Sequence, residues 1–261
     1  MNKYLFILFL LITGTFNLVA QRWKVYRHEY SLGIGSAHYF GDIGGTASAD
    51  NLMGLRDIRL NETKYTVQLG WNYRYTRDIS VRYNVNYIAL SASDEGSRNA
   101  SRGLSFYTHL VEFGAQAQYY LKSEYRRKRG VSMFNRRGAI ASTLQYGIYV
   151  FGGIHGSVFF PHLSGPSELL NVDNNFRKTT HYSKVNVVIP FGIGGQYVIS
   201  KRWLIALEIT PHICVSDYID GMWTTWSRYP DIYWTTSLRG VYKIRTDRYG
   251  YPVFLKKGRG I

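Results

Sequence analysis

Cysteine is almost absent from this chain. Cys214 is the only one, which excludes an intrachain disulfide framework. Proline is scarce too, at six residues. Beyond residue 20 no apolar run approaches the length a spanning helix needs, so a polytopic helical membrane protein is excluded. The seven histidines show no HExxH and no tight ligand spacing, which leaves metal binding without support. Gly33, Gly35, Gly192, Gly194 and Gly195 alternate within extended segments, which fits close packing or bends and not phosphate binding.

What the chain does hold begins with a leader. Met1, Asn2 and Lys3 are weakly positive, Tyr4 to Phe16 are almost wholly apolar, and Ala20 precedes a polar switch at Gln21. This predicts an export signal over residues 1–20 with cleavage after Ala20. The remainder is rich in Tyr (23) and Gly (26), with aromatics at 16% and a mean hydropathy of −0.21. That balance suits strands that alternate lipid-facing and lumen-facing residues.

Period-two runs carry the fold assignment. Tyr65, Val67, Leu69, Trp71, Tyr73 and Tyr75 alternate with Thr66, Gln68, Gly70, Asn72, Arg74 and Thr76. After an Arg77-Asp78 turn, Ile79, Val81, Tyr83, Val85, Tyr87 and Ala89 continue the pattern. Six further segments fit: 29–40, 105–121, 139–153, 182–199, 203–216 and 231–245. Each is long enough to cross a bilayer at a tilt, which takes ~9–11 residues. Eight such strands predict an all-β, eight-stranded antiparallel transmembrane barrel of outer-membrane type over residues 21–245, with a basic tail at 246–261. Connections 41–64, 92–104, 157–180 and 217–230 are long, whereas 77–78 and 200–202 are tight, so the short turns and both termini are expected in the periplasm.

Charge is lopsided, with 32 Lys and Arg against 17 Asp and Glu. Segment 122–138, long for a periplasmic connection, carries Lys122, Arg126, Arg127, Lys128, Arg129, Arg136 and Arg137 against Glu124 alone. The tail adds Lys256, Lys257 and Arg259. Residues 21–29, turn 200–202 and residues 243–261 are net basic too, so the whole basic excess sits on the inferred periplasmic rim. Such polarity points to an anionic partner or a protein with an acidic face; the plainer reading is retention by lipid phosphates. Nucleic acid is not expected at that address.

Inside the predicted barrel, Arg74, Arg82, Glu112, Glu208 and Arg239 share the lumen face with Gln116, Gln196 and His212. An eight-stranded barrel is filled by its own side chains, so these charges are expected to pair. An acid–base pair of Glu112 and Glu208 would lack a substrate path. His162, Ser164 and His181 fall in one outer-loop region and suggest at most a lipid-modifying site. Trp223, Trp226, Tyr229, Tyr233 and Trp234 cluster near an outer strand end and read as an aromatic girdle.

One family matches several stretches: Leu104-Ser-Phe-Tyr-Thr-His-Leu-Val-Glu112-Phe-Gly-Ala-Gln-Ala-Gln-Tyr; Val188-Ile-Pro190-Phe-Gly192-Ile-Gly194-Gly-Gln-Tyr-Val-Ile-Ser200-Lys-Arg-Trp-Leu; Leu207-Glu208; Asp217-Tyr-Ile-Asp220; and Tyr39-Phe-Gly41-Asp42-Ile-Gly44. With these the chain resembles the PorG family, outer-membrane proteins of the type IX secretion system. The resemblance implies a noncatalytic barrel, without cofactor, that tethers the periplasmic ring of the lipoprotein PorK and its partner PorN. The basic segment and tail are the expected contact. The rivals are a stand-alone envelope barrel binding peptidoglycan or lipid, a lipid-modifying enzyme, and a narrow channel.

Overall fold

The computed structural model describes residues 22–45, 59–125, 145–170, 182–223, 230–247 and 249–254. Strands β1 (His28–Phe40), β2 (Lys64–Arg74), β3 (Ile79–Ser93), β4 (Ser105–Lys122), β5 (Tyr146–Ser164), β6 (Val185–Val198), β7 (Trp203–Cys214) and β8 (Ile232–Ile244) follow in order. Each pairs antiparallel with the next, and β8 returns to β1 from His28↔Ile244 to Phe40↔Ile232, which closes the barrel. Closure leaves no strand edge unpaired, the condition for placing a sheet in hydrocarbon. No described helix is long and apolar enough to cross a membrane; α1 (Ser167–Leu170) is a single turn.

Alternation decides which side chains go where. Ile34 (63% exposed), Phe113 (58%) and Val185 (63%) face outward, while Arg74 (0%), Glu112 (0%) and Arg239 (1%) face the lumen. An apolar exterior around a polar interior is the inverse of a soluble barrel and matches a bilayer as solvent. Two tight turns share one device. Thr76 Oγ1 accepts from the amides of Asp78 and Ile79 at 3.3 and 2.9 Å, and Ser200 Oγ accepts from those of Arg202 and Trp203 at 3.3 and 3.2 Å. A hydroxyl two to three residues back holds the chain reversal locally.

The expected strands are all present, and β5 departs most from its predicted span. It runs on to Ser164, so the connection expected from residue 157 begins after that strand; residues 139–144 lie outside the described residues. Two effects hid its true length. Gly152, Gly153 and Gly156 blur the phase, and near the outer end Phe159 is buried inside while Phe160 is exposed outside, so the polar alternation lapses. Pro190 has no N–H to give, and the β5–β6 ladder is interrupted between Gly152↔Phe191 and His155↔Val188.

Candidate functional site

From the turn end to its middle the lumen is filled by charged and polar side chains arranged in tiers, and towards the loop end buried apolar side chains take over. At the turn end Arg74 lies 3.5 Å from Glu29 and 3.3 Å from Glu124, and its guanidinium stacks 4.1 Å from the Tyr120 ring centroid. Lys243 reaches Glu124 at 2.8 Å and the Tyr125 hydroxyl at 3.0 Å, and Gln196 donates to Glu124 at 2.8 Å. Glu124 belongs to no strand: just after β4 the chain turns inward and seats Ser123 and Glu124 in the barrel mouth. Burial opposes its charge, but Arg74 and Lys243 outweigh burial and hold the carboxyl at about 2.

The middle tier centres on Glu208. Arg82 meets it in two contacts, at 2.5 and 2.9 Å. Tyr149 donates at 2.5 Å, and Arg239 approaches at 3.4 Å while also donating to Gln68 and Ser31. Between this tier and the next, the lumen retains a space of only about 10 Å³, room for about one water. Above it Glu112 takes no arginine. His155 Nδ1 and His212 Nδ1 sit 3.1 and 3.3 Å from its two oxygens, and Asn86 donates at 3.2 Å. The expected Glu–Arg network therefore forms around Glu208, while Glu112 departs from it by pairing with histidine.

The loop end is capped by the chain after β7. Ile219 and Met222 are buried in an apolar cluster with Phe106, Leu110 and Phe159. Thr108 donates to the Ile219 carbonyl at 2.6 Å, the Ile219 amide donates to Asp231 at 2.9 Å, and Tyr39 donates to the other Asp231 oxygen. The Met222 amide donates to Asp220 at 2.9 Å. Burial, with Asp231 as a neighbouring charge, pushes Asp220 well above the usual carboxylate range; burial pushes Asp231 to about 8. Beside this cap Arg102 clasps both Asp94 oxygens at 2.9 Å and the Asp42 carbonyl at 2.7 Å. Tyr233, read from sequence as a girdle residue, is instead fully buried and stacked on His212.

Three lumen residues were assigned to the rim by sequence position. Glu29 and Lys243 share the inward parity of β1 and β8, a signal that could have revealed them. Glu124 follows the end of its strand, where alternation says nothing. Their removal takes two acids and one base from the rim. Of the rim cations, Lys122 is described and lies over the Tyr146 ring, 4.2 Å from its centroid. Arg126, Arg127, Lys128, Arg129, Arg136, Arg137, Lys256, Lys257 and Arg259 lie outside the described residues, as do residues 1–21. The start of the tail is not a free extension: Thr246 pairs with Pro252 and docks on the N-terminal turn through the Val25 and Lys24 carbonyls.

His162 and Ser164 occupy exposed positions in β5, two residues apart, and His181 lies outside the described residues. No group of three or more His, Cys, Asp or Glu among the described residues is arranged to hold a metal. Paired charges tie strands together across the barrel.

No family model and no curated protein matches this chain. Among solved structures it is similar to neisserial surface protein A, at 10% identity and a TM-score of 0.46, covering 83% of this chain and 96% of that one. The outer membrane protein OprG from Pseudomonas aeruginosa matches at 10% identity and a TM-score of 0.43, covering 85% and 98%. The outer membrane enzyme PagL matches at 12% identity and a TM-score of 0.38, covering 82% and 97%. The barrel assignment rests on the strand register of this chain itself.

Proposed function

We propose that this chain is an outer-membrane barrel that anchors or positions a periplasmic secretion assembly through its basic, turn-end face. The observation that carries this reading is the filled lumen. With Glu124, Glu208 and Glu112 each engaged across the barrel and a space of about 10 Å³ between the Glu208 and Glu112 tiers, a transport path and a substrate site lack room there. Function then falls to the rims. The turn-end rim carries Lys122, Arg126, Arg127, Lys128, Arg129, Arg136 and Arg137 and the tail residues Lys256, Lys257 and Arg259. A surface of that sign suits an acidic protein face and speeds its encounter. The resemblance to the PorG family supports a PorK/PorN-like ring as the partner, with the termini in the periplasm and no catalytic role.

Photo-crosslinking in cells from Arg127, Arg136 and Lys256, with Asn51 in an outer connection as control, tests the reading. We expect crosslinks to ring proteins from the three basic positions and none from Asn51. Crosslinks to lipid or peptidoglycan alone would reduce the protein to a stand-alone envelope barrel, and crosslinks from Asn51 alone would invert its orientation.

A further inference from the structure

The outer wall of the barrel is uneven. On one side the register aligns Trp203, Tyr242, Tyr30, Trp71 and Tyr83 across β7, β8, β1, β2 and β3. On β4 the row ends, because Tyr83 is opposite Ala115. One step toward the loop end Gly240 faces outward between Ile205 and Leu32, with no side chain to fill its place. The aromatic ledge and this gap bound an apolar groove of about 970 Å³ on the outside of the barrel. That volume is at the upper end of the ~300–1,000 Å³ range of small-molecule sites.

Two cations stand on the turn side of the ledge. Arg202 directly precedes Trp203, is exposed, and reaches the Tyr242 hydroxyl at 3.4 Å. Tyr242 in turn packs on Trp203, ring centroids 4.9 Å apart. Beside its middle, Arg27 directly precedes β1, lies 5.1 Å from the Trp23 ring centroid and donates to the Tyr73 hydroxyl at 3.1 Å, next to the His28–Trp71 stack. Aromatic rings near strand ends, as Trp203, Tyr242 and Tyr30 are, mark the headgroup boundary of a bilayer, and basic residues just beyond them sit at phosphate depth.

We infer that this groove is a binding site for an anionic glycerophospholipid, one acyl chain lying over Gly240 and the phosphate held between Arg202 and Arg27. Bulk lipid explains an apolar wall, yet it does not explain a depression at one glycine flanked by a one-sided aromatic ledge with two arginines on its turn side. Charge complementarity selects the anionic headgroup. The inference requires membrane insertion and is independent of the secretion role.

Gly240 makes the test clean. A β-carbon there would meet nothing closer than the Leu32 carbonyl oxygen at 3.9 Å, so a side chain can be added without moving the backbone. Gly195 on β6, outward-facing with nothing within 4 Å of its β-carbon position, provides the matched control. The purified barrel in detergent is given equal amounts of phosphatidylglycerol and phosphatidylethanolamine with identical chains, and retained lipid is counted by native mass spectrometry. Heat-modifiable gel migration checks that each variant is folded, with Gly240→Ala as the milder substitution. We expect phosphatidylglycerol to be retained roughly tenfold over phosphatidylethanolamine, as two interfacial arginines allow. Gly240→Leu should abolish that retention and Gly195→Leu should leave it intact. Arg202→Gln with Arg27→Gln should equalise the two lipids. Equal retention by the natural sequence, unchanged retention in folded Gly240→Leu, or unchanged selectivity in the double arginine variant overturns the site.

Discussion

At the scale of single residues, the lumen shows what an ionised group needs when water is largely excluded. Glu208 balances two arginines and accepts a tyrosine hydroxyl, so removing its charge strands Arg82 and Arg239 near one another without a counter-ion. Breaking a buried pair on one side costs ~3–5 kcal/mol. We expect Glu208→Gln to lower the urea midpoint by a corresponding amount in lipid vesicles; a midpoint within ~0.5 kcal/mol of the parent, the usual range for an inconsequential surface change, would mean that water screens the tier. The acids of the loop-end cap act in the opposite sense. Burial raises Asp231 to about 8, so the folded chain holds a proton that the unfolded chain has released at neutral pH. Its contribution is fully present below the ordinary Asp value of ~3.9 and is lost as pH rises from there through the folded value of about 8. Stability should therefore fall across pH 4 to 8 by up to ~1.4 kcal/mol per unit from this residue, and Asp231→Asn should flatten that slope. An unchanged slope in unfolding titrations would place the proton elsewhere.

At the scale of strands, glycine has two unlike roles in neighbouring positions. Gly194 faces inward, where the Tyr149 ring occupies the space a β-carbon would need, and that ring is the one bonded to Glu208. Gly195 faces outward into open space. Gly194→Ala should cost ~1–3 kcal/mol through overpacking, whereas Gly195→Ala should stay within ~0.5 kcal/mol. Thermal unfolding of the two variants side by side gives the comparison, and equal losses would show that backbone entropy, not the Tyr149 contact, sets the cost. The same strands explain how much was legible in advance. β2 alternates throughout and β3 as far as Ile88, and both are readable to within a few residues, while β5 is not, because its glycines and its doubly apolar outer end erase the period on which such reading depends.

At the scale of the whole molecule, three tiers of charge and an apolar cap convert a tube into a solid pillar. Planar-bilayer recordings should find no steady conductance, since the paired charges bridge opposite walls and Ile219 and Met222 close the loop end. Reproducible unitary steps would show that the tiers open and would revive the channel reading. A barrel with so filled a middle presents two further surfaces, its rims and its outer wall. The proposed ring contact uses the first and the proposed phospholipid groove the second.

Sequence alone determined the strand count, the closure, the outward apolar face and the inward set of Arg74, Arg82, Glu112, Glu208 and Arg239. All of these follow from a period of two, a local property of the chain. Tertiary structure alone decided who pairs with whom. Parity places a residue on a face but not at a depth, so it could not give Glu112 to histidines or Glu208 to two arginines. Nor could it bring Glu124 into the mouth or fold residues 219–222 over the loop end, because both lie outside strands, where direction is set by what the barrel leaves to be filled. The groove at Gly240 is of the same kind: a missing side chain leaves a groove only when neighbours from four other strands stand around it.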